Sequence, residues 1–141
     1  MSERTLQHQV GWRRKGERLP HVPDGIEIRP DGRRILTEVE LTAKTRSRYL
    51  EPRPQDGVGD MAGGLLSSVE ARARDLGCMG VVYWCAPRIL ERVRDVIEEY
   101  VVRTRERRGR ARDPEALGPE LRWAVRSLEE VPCWEPRRAV R

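Results

Sequence analysis

The sequence predicts an α/β fold, with a mixed sheet of about four strands flanked by helices, and three observations lead there. First, two β-rich runs, Ile26-Glu27-Ile28-Arg29 and Arg34-Ile35-Leu36 onward, flank Pro30-Asp31-Gly32-Arg33, whose Asp-Gly pair tolerates the positive φ of a tight hairpin turn. Second, Gly80-Val81-Val82-Tyr83-Trp84-Cys85 is continuously apolar and rich in β-formers, the pattern of a central strand buried on both faces. Third, helical periodicity lies between and after these strands. Leu65, Leu66, Val69, Ala73 and Leu76 mark an amphipathic helix over about 61–76, stopped by Gly77. Pro87 opens a long helix whose apolar face carries Ile89, Leu90, Val93, Val96, Ile97, Tyr100 and Val101. Strands separated by helices define the α/β class.

The remaining elements follow in order. Thr5 to about Arg18 is weakly patterned and reads as a short helix ending in a basic loop with Trp12, Arg13, Arg14 and Lys15. An aromatic among cations suits either a base-stacking loop or a Trp packed on the core edge. Residues 51–60 have the Pro and Gly content of a mobile loop, placed to act as a lid. The long helix ends in Arg103-Thr104-Arg105-Glu106-Arg107-Arg108-Gly109-Arg110-Ala111-Arg112, a run that suits either a phosphate backbone or a solvated helix terminus, where cations favour the helix dipole. After a turn region from Asp113 to Pro119, Leu121–Leu128 is predicted to be the last strand, closed by Pro132. One domain spans 1–134, and 135–141 is a loose basic tail.

Composition restricts the function classes. The chain has 141 residues, a formal net charge of +5 and a pI of about 9.6, compatible with a polyanionic partner. No apolar run approaches the roughly 18 residues of a membrane span and no apolar signal segment begins the chain, so the expectation is a cytoplasmic protein with no membrane partner. Cys78, Cys85 and Cys133 have neither disulfide-framework nor zinc spacing and read as reduced thiols. His8 and His21 lack a matching ligand motif. His21 reads as a loop histidine near Asp24.

The chemistry concentrates in Pro23-Asp24-Gly25 and in Thr37-Glu38-Val39-Glu40-Leu41-Thr42-Ala43-Lys44. Strand alternation sends Leu36, Glu38 and Glu40 to one face and Ile35, Val39 and Leu41 to the other. Two anions side by side repel unless a cation, a proton or a basic side chain offsets them. Mg²⁺ or Mn²⁺ bound by Asp24, Glu38 and Glu40 is one solution, because these ions take carboxylate and water oxygens and leave positions for phosphate. Lys44 would then stabilise charge on a scissile phosphate. The alternative is a solvated face on which the glutamates pair with arginines.

These residues resemble a known family. Ser2-Glu3-Arg4-Thr5-Leu6, His21-Val22-Pro23-Asp24-Gly25 and Glu38-Val39-Glu40-Leu41-Thr42-x-Lys44, with Tyr49 beyond, are similar to the replication-relaxation family of actinobacterial plasmid and mobile-element proteins. The core of that family resembles the PD-(D/E)xK, or restriction-endonuclease-like, superfamily. The resemblance covers about the first half of the chain, and the Gly80–Trp84 run fits the next family element more loosely. It implies that Glu3 matches the acidic residue on the first core helix, Asp24 the motif Asp, and Glu38 the (D/E) position. Glu40 stands where the superfamily carries lysine. Either Lys44 has taken that role from a shifted position, or the site binds metal poorly and no longer cuts. Family members commonly carry an N-terminal winged-helix domain, and this chain reads as the core alone or a cut-down form of it. The function implied is a DNA-binding, Mg²⁺- or Mn²⁺-dependent endonuclease of a plasmid or mobile element. The alternatives are a non-catalytic replication accessory module and a protein-interaction domain. A homodimer is compatible with the sequence.

Overall fold

A computed structural model describes residues 21–52 and 64–131. The expected Thr5–Arg18 helix, the basic loop of Trp12, Arg13, Arg14 and Lys15, the supporting Glu3, most of the lid and the 135–141 tail lie outside the described residues.

The hairpin forms as its turn chemistry requires. β1 (Gly25–Ile28) and β2 (Arg34–Glu40) pair antiparallel with Ile26 opposite Leu36. The connection closes with Gly32 N–H donating to Arg29 O at 2.9 Å, and Gly32 takes φ 82°, the left-handed conformation that glycine adopts without a Cβ penalty. After α1 (Arg46–Leu50) and α2 (Leu65–Asp75), β3 (Gly80–Cys85) runs parallel to β2. A single 3-10 turn at Pro87–Ile89 leads into α3 (Leu90–Arg110), and β4 (Arg122–Ser127) then pairs parallel with β3. The sheet is therefore four-stranded, mixed and open, in the order β1-β2-β3-β4. The α/β class and the strand number agree with the sequence pattern.

Three boundaries differ from expectation. α2 begins at Leu65 within the described residues, the long helix begins one 3-10 turn after Pro87, and the last strand is shorter at both ends. α1, five residues long, was not anticipated, because it is too short to show a helical period. Its start is set by Thr45, whose hydroxyl accepts from Arg48 N–H.

The three helices cover one face of the sheet. Strand register aligns Ile26, Leu36, Val81 and Tyr83 on that face, and they share one core with Leu66, Val69 and Ala73 of α2 and Val93, Ile97 and Tyr100 of α3. Trp123 of β4 stacks near Tyr83 at 6.4 Å between ring centroids and meets the Tyr100 ring edge-on at 5.4 Å, fixing α3 across the sheet. Arg46 of α1 forks onto Glu99 of α3, with Nε 2.8 Å from Oε2. No helix among the described residues is long and apolar enough to cross a membrane.

Two glycines make contrasting demands. A Cβ on Gly64, at the entrance to α2, would lie 2.6 Å from Arg48 O and 2.7 Å from Glu51 N, both backbone atoms of the α1 end. A Cβ on Gly109 would meet nothing within 4 Å. Gly64→Ala is expected to lower unfolding free energy by about 1–3 kcal/mol through overpacking, and Gly109→Ala to raise it by about 0.5–1 kcal/mol through helix propensity. Urea denaturation of both variants checks this, and a tolerated Gly64→Ala would contradict the close α1–α2 approach.

Candidate functional site

The two glutamates of β2 face the helices. Glu38 and Glu40 are only 9% and 6% exposed, whereas Val39 between them is 43% exposed. The helix-covered face is thus the carboxylate face, and each buried anion has a partner within the chain. The alternative of a solvated face on which the glutamates pair with arginines does not hold.

Glu40 is held from beyond the strand. The chain turns after Leu41, and Lys44 folds back so that Nζ donates to both carboxylate oxygens, at 2.5 Å to Oε1. The Tyr49 hydroxyl, on α1, donates to Glu40 Oε2 at 3.2 Å and accepts from Lys44 N–H at 3.3 Å. The ammonium also stands 5.9 Å from the centre of the Tyr49 ring. Burial, followed by the nearby Glu40 charge, pushes the Tyr49 hydroxyl up to about 12, so it stays a donor at neutral pH.

Glu38 is held from the other side. His21 Nε2 lies 2.6 Å from Glu38 Oε1, both side chains being mostly buried. Burial raises the Glu38 carboxyl above its ordinary value; the His21 hydrogen bond opposes this, and the Asp24 and Glu40 charges reinforce it. Asp24 lies at the hairpin entrance and is exposed, and its Oδ2 accepts from Val39 N–H at 2.7 Å. That bond ties the Asp24 loop to the middle of β2, between the two glutamates.

The candidate residues Asp24, Glu38, Glu40 and Lys44 therefore converge on one stretch of β2, joined by His21 and Tyr49. Among the described residues, no three His, Cys, Asp or Glu side chains form a group placed to hold a metal ion together. His21 is the partner that sequence reasoning underrated. Its signal was its place three residues before Asp24. A further feature had no sequence signal at all: the Tyr83 hydroxyl, opposite Glu38 on β3, is buried without a hydrogen-bond partner among the described residues.

The basic run at the end of α3 is partly engaged in the fold. Arg103 donates to Glu99 at 2.6 Å, Arg105 to Glu120 at 2.5 Å, and Arg110 approaches Glu106 at 4.0 Å. Arg108 donates to Gly118 O and Arg74 to Pro119 O at 2.6 Å, so both hold the loop before β4. Arg107 is exposed and forms no ion pair among the described residues. Cys78 and Cys85 are free and buried, and burial pushes the Cys85 thiol up to about 11.

Comparison with protein-family models, with curated proteins and with solved structures returns no match.

Two predictions concern the buried acids. Lys44→Ala leaves Glu40 buried without its cation and is expected to destabilise by about 2–3 kcal/mol at neutral pH, below the full cost of breaking a buried pair because the Lys44 side chain is 31% exposed. Adding Glu40→Gln to that variant should restore much of the loss; a double variant as unstable as the single one would contradict the pairing. For Glu38, the folded carboxyl holds its proton more tightly than the unfolded one. Its contribution is thus fully present below the ordinary value of 4.5 and declines as pH rises through the raised value. Glu38→Gln should gain stability relative to the wild type as pH rises from 4 to 7. A pH-independent difference in urea midpoints would refute the raised carboxyl.

Proposed function

We propose that the chain is a DNA-binding protein with a restriction-endonuclease-like core, acting as a Mg²⁺- or Mn²⁺-dependent endonuclease of a plasmid or mobile element. The observation that carries this reading is the convergence on one hairpin of Asp24, tied to β2 through Val39, with buried Glu38 and with Lys44 folded back onto position 40. A lysine ammonium brought from position 44 to the carboxylate of Glu40 lies close to where a lysine at position 40 would carry its own charge. That is the arrangement a migrated motif lysine requires. The hairpin, helix and parallel strand that follow Asp24 also accord with the order of elements in such a core.

The residues fit a hard divalent cation in a restricted sense. Asp24 and Glu38 would hold it, since Mg²⁺ commonly binds through one or two carboxylates and keeps several waters. The raised Glu38 carboxyl, pressed by the charges of Asp24 and Glu40, is a group that a cation would offset. The orphaned Tyr83 hydroxyl beside it could bond to a water of such an ion. When bound, the metal supplies an activated water and neutralises phosphate charge. The chain's own residues do the rest. His21 fixes the Glu38 carboxyl, Asp24 holds the hairpin entrance against β2, and Lys44 exchanges Glu40 for the charge that develops on the phosphate.

A second reading, a non-catalytic DNA-binding accessory module, is favoured by one specific observation. Each of the three carboxylates already has an intramolecular partner, and no set of three is grouped for a metal among the described residues. Cleavage of supercoiled, duplex and single-stranded DNA with Mg²⁺ or Mn²⁺ separates the two. Catalysis predicts that Asp24→Asn and Glu38→Gln lower the cutting rate by about 10²- to 10³-fold while remaining folded. Lys44→Ala should show the same loss in the Glu40→Gln background, where the buried pair is gone. A folded, metal-loaded wild type that cuts none of these substrates leaves the non-catalytic module.

A further inference from the structure

The face of the sheet opposite the carboxylates carries features that the hairpin site does not use. Strand register places Ile35, Thr37 and Val39 of β2, Val82 and Trp84 of β3, and Ala124 of β4 on it. All three described helices lie on the other face. Trp84 and Ala124 are half-buried and Val39 is exposed, so apolar surface reaches the open side. A groove of about 320 Å³ crosses this face from the β1 turn to β4, with Trp84 in its lining. Four arginines, Arg29, Arg33, Arg122 and Arg126, line the same groove with one acid, Glu27, while Asp31 and Glu130 pair with Arg33 and Arg126 from outside the lining.

Those charges are available. Arg29 pairs with Glu27 at 3.5 Å, Arg33 with Asp31, and Arg126 with Glu130 at 3.3 Å, and about half of each arginine side chain is exposed, so the pairs are weak and readily exchanged for phosphate. Arg122, exposed at the start of β4, forms no ion pair among the described residues. A half-buried indole between cationic rims is a stacking platform with an electrostatic track, the combination by which proteins hold single strands. Duplex DNA does not fit it, because its bases are stacked inside and cannot reach a sheet floor.

We propose that this face binds single-stranded DNA, with a base on Trp84 and the backbone phosphates on Arg122 and Arg126 on one side and Arg29 and Arg33 on the other. The choice of DNA rests on the function proposed above. The sheet width from β1 to β4, about 14 Å at the usual interstrand spacing, suits two or three nucleotides. Cleavage chemistry is not required for this contact, which lies across the sheet from the buried Glu38 and Glu40 carboxylates.

Fluorescence anisotropy of a labelled oligo-dT with the full chain, without divalent metal, tests the proposal. Wild type should bind at low salt and weaken steeply as salt rises. Trp84→Leu should lose roughly 5- to 150-fold, the range for one stacked base, while Trp84→Phe keeps most of the affinity. Arg122→Glu should weaken binding at least tenfold and reduce the salt slope by about 0.7 per lost phosphate contact. Circular dichroism verifies that each variant is folded. Because Arg122 is exposed on an edge strand, its variant remains decisive even where Trp84→Leu fails to fold. Wild type that binds the oligonucleotide without divalent metal yet cuts no substrate with Mg²⁺ or Mn²⁺ sinks only the nuclease reading. No binding at low salt, unchanged binding by Arg122→Glu and folded Trp84→Leu, or tighter binding of oligo-rU than of oligo-dT would each overturn the proposal.

Discussion

Burying two carboxylates on one face of one strand is the constraint on which the rest of this molecule depends. Taking an ionised carboxylate out of water costs several kcal/mol unless charges and donors replace the lost hydration. β2 does this twice, two residues apart, on the face that three helices cover. The surrounding geometry can be read as the set of partners that makes this tolerable. Lys44 and Tyr49 serve Glu40, and His21 serves Glu38. Tyr49 brings α1 with it, and α1 is in turn clamped to α3 by Arg46 on Glu99. The acids and the helical layer are therefore mechanically linked.

This arrangement is poor design for stability alone. Apolar side chains at positions 38 and 40 would pack against Tyr83 and Cys85, their neighbours on β3, without needing any partner. A carboxyl raised by burial, with a histidine on it and beside an aspartate tied to the same strand, is the kind of cluster that functional sites build. The opposite face of the sheet has a different character, with no buried acid among the described residues and an arginine-rimmed aromatic floor. The two faces divide between candidate chemistry and candidate binding.

Much of this was legible from residue patterns, and what was not has a physical reason. Asp31-Gly32 announced the hairpin turn because only the turn's left-handed position demands that chemistry. The Gly80–Cys85 run announced a central strand because a strand flanked on both sides can be apolar throughout. Alternation placed Glu38 and Glu40 on a common face, but it carries no information about which face the helices cover. That depends on how α2 and α3 pack, a long-range outcome, and it is what excludes the solvated alternative for the pair. α1 escaped notice because five residues hold no period. The role of Arg108 escaped for a similar reason: a basic run looks uniform in sequence, yet its contact with Gly118 O exists only once the chain has turned back toward β4.

The proposed function requires the Asp24 and Glu38 carboxylates to form a site for a divalent cation acting on nucleic acid. The most direct measurement is anomalous X-ray scattering at the manganese edge from crystals of the full chain soaked in Mn²⁺. The expected result is an anomalous peak in contact with oxygens of both Asp24 and Glu38. Well-ordered crystals in which that position shows no peak, with Glu38 still on His21 and Glu40 still on Lys44, would contradict it.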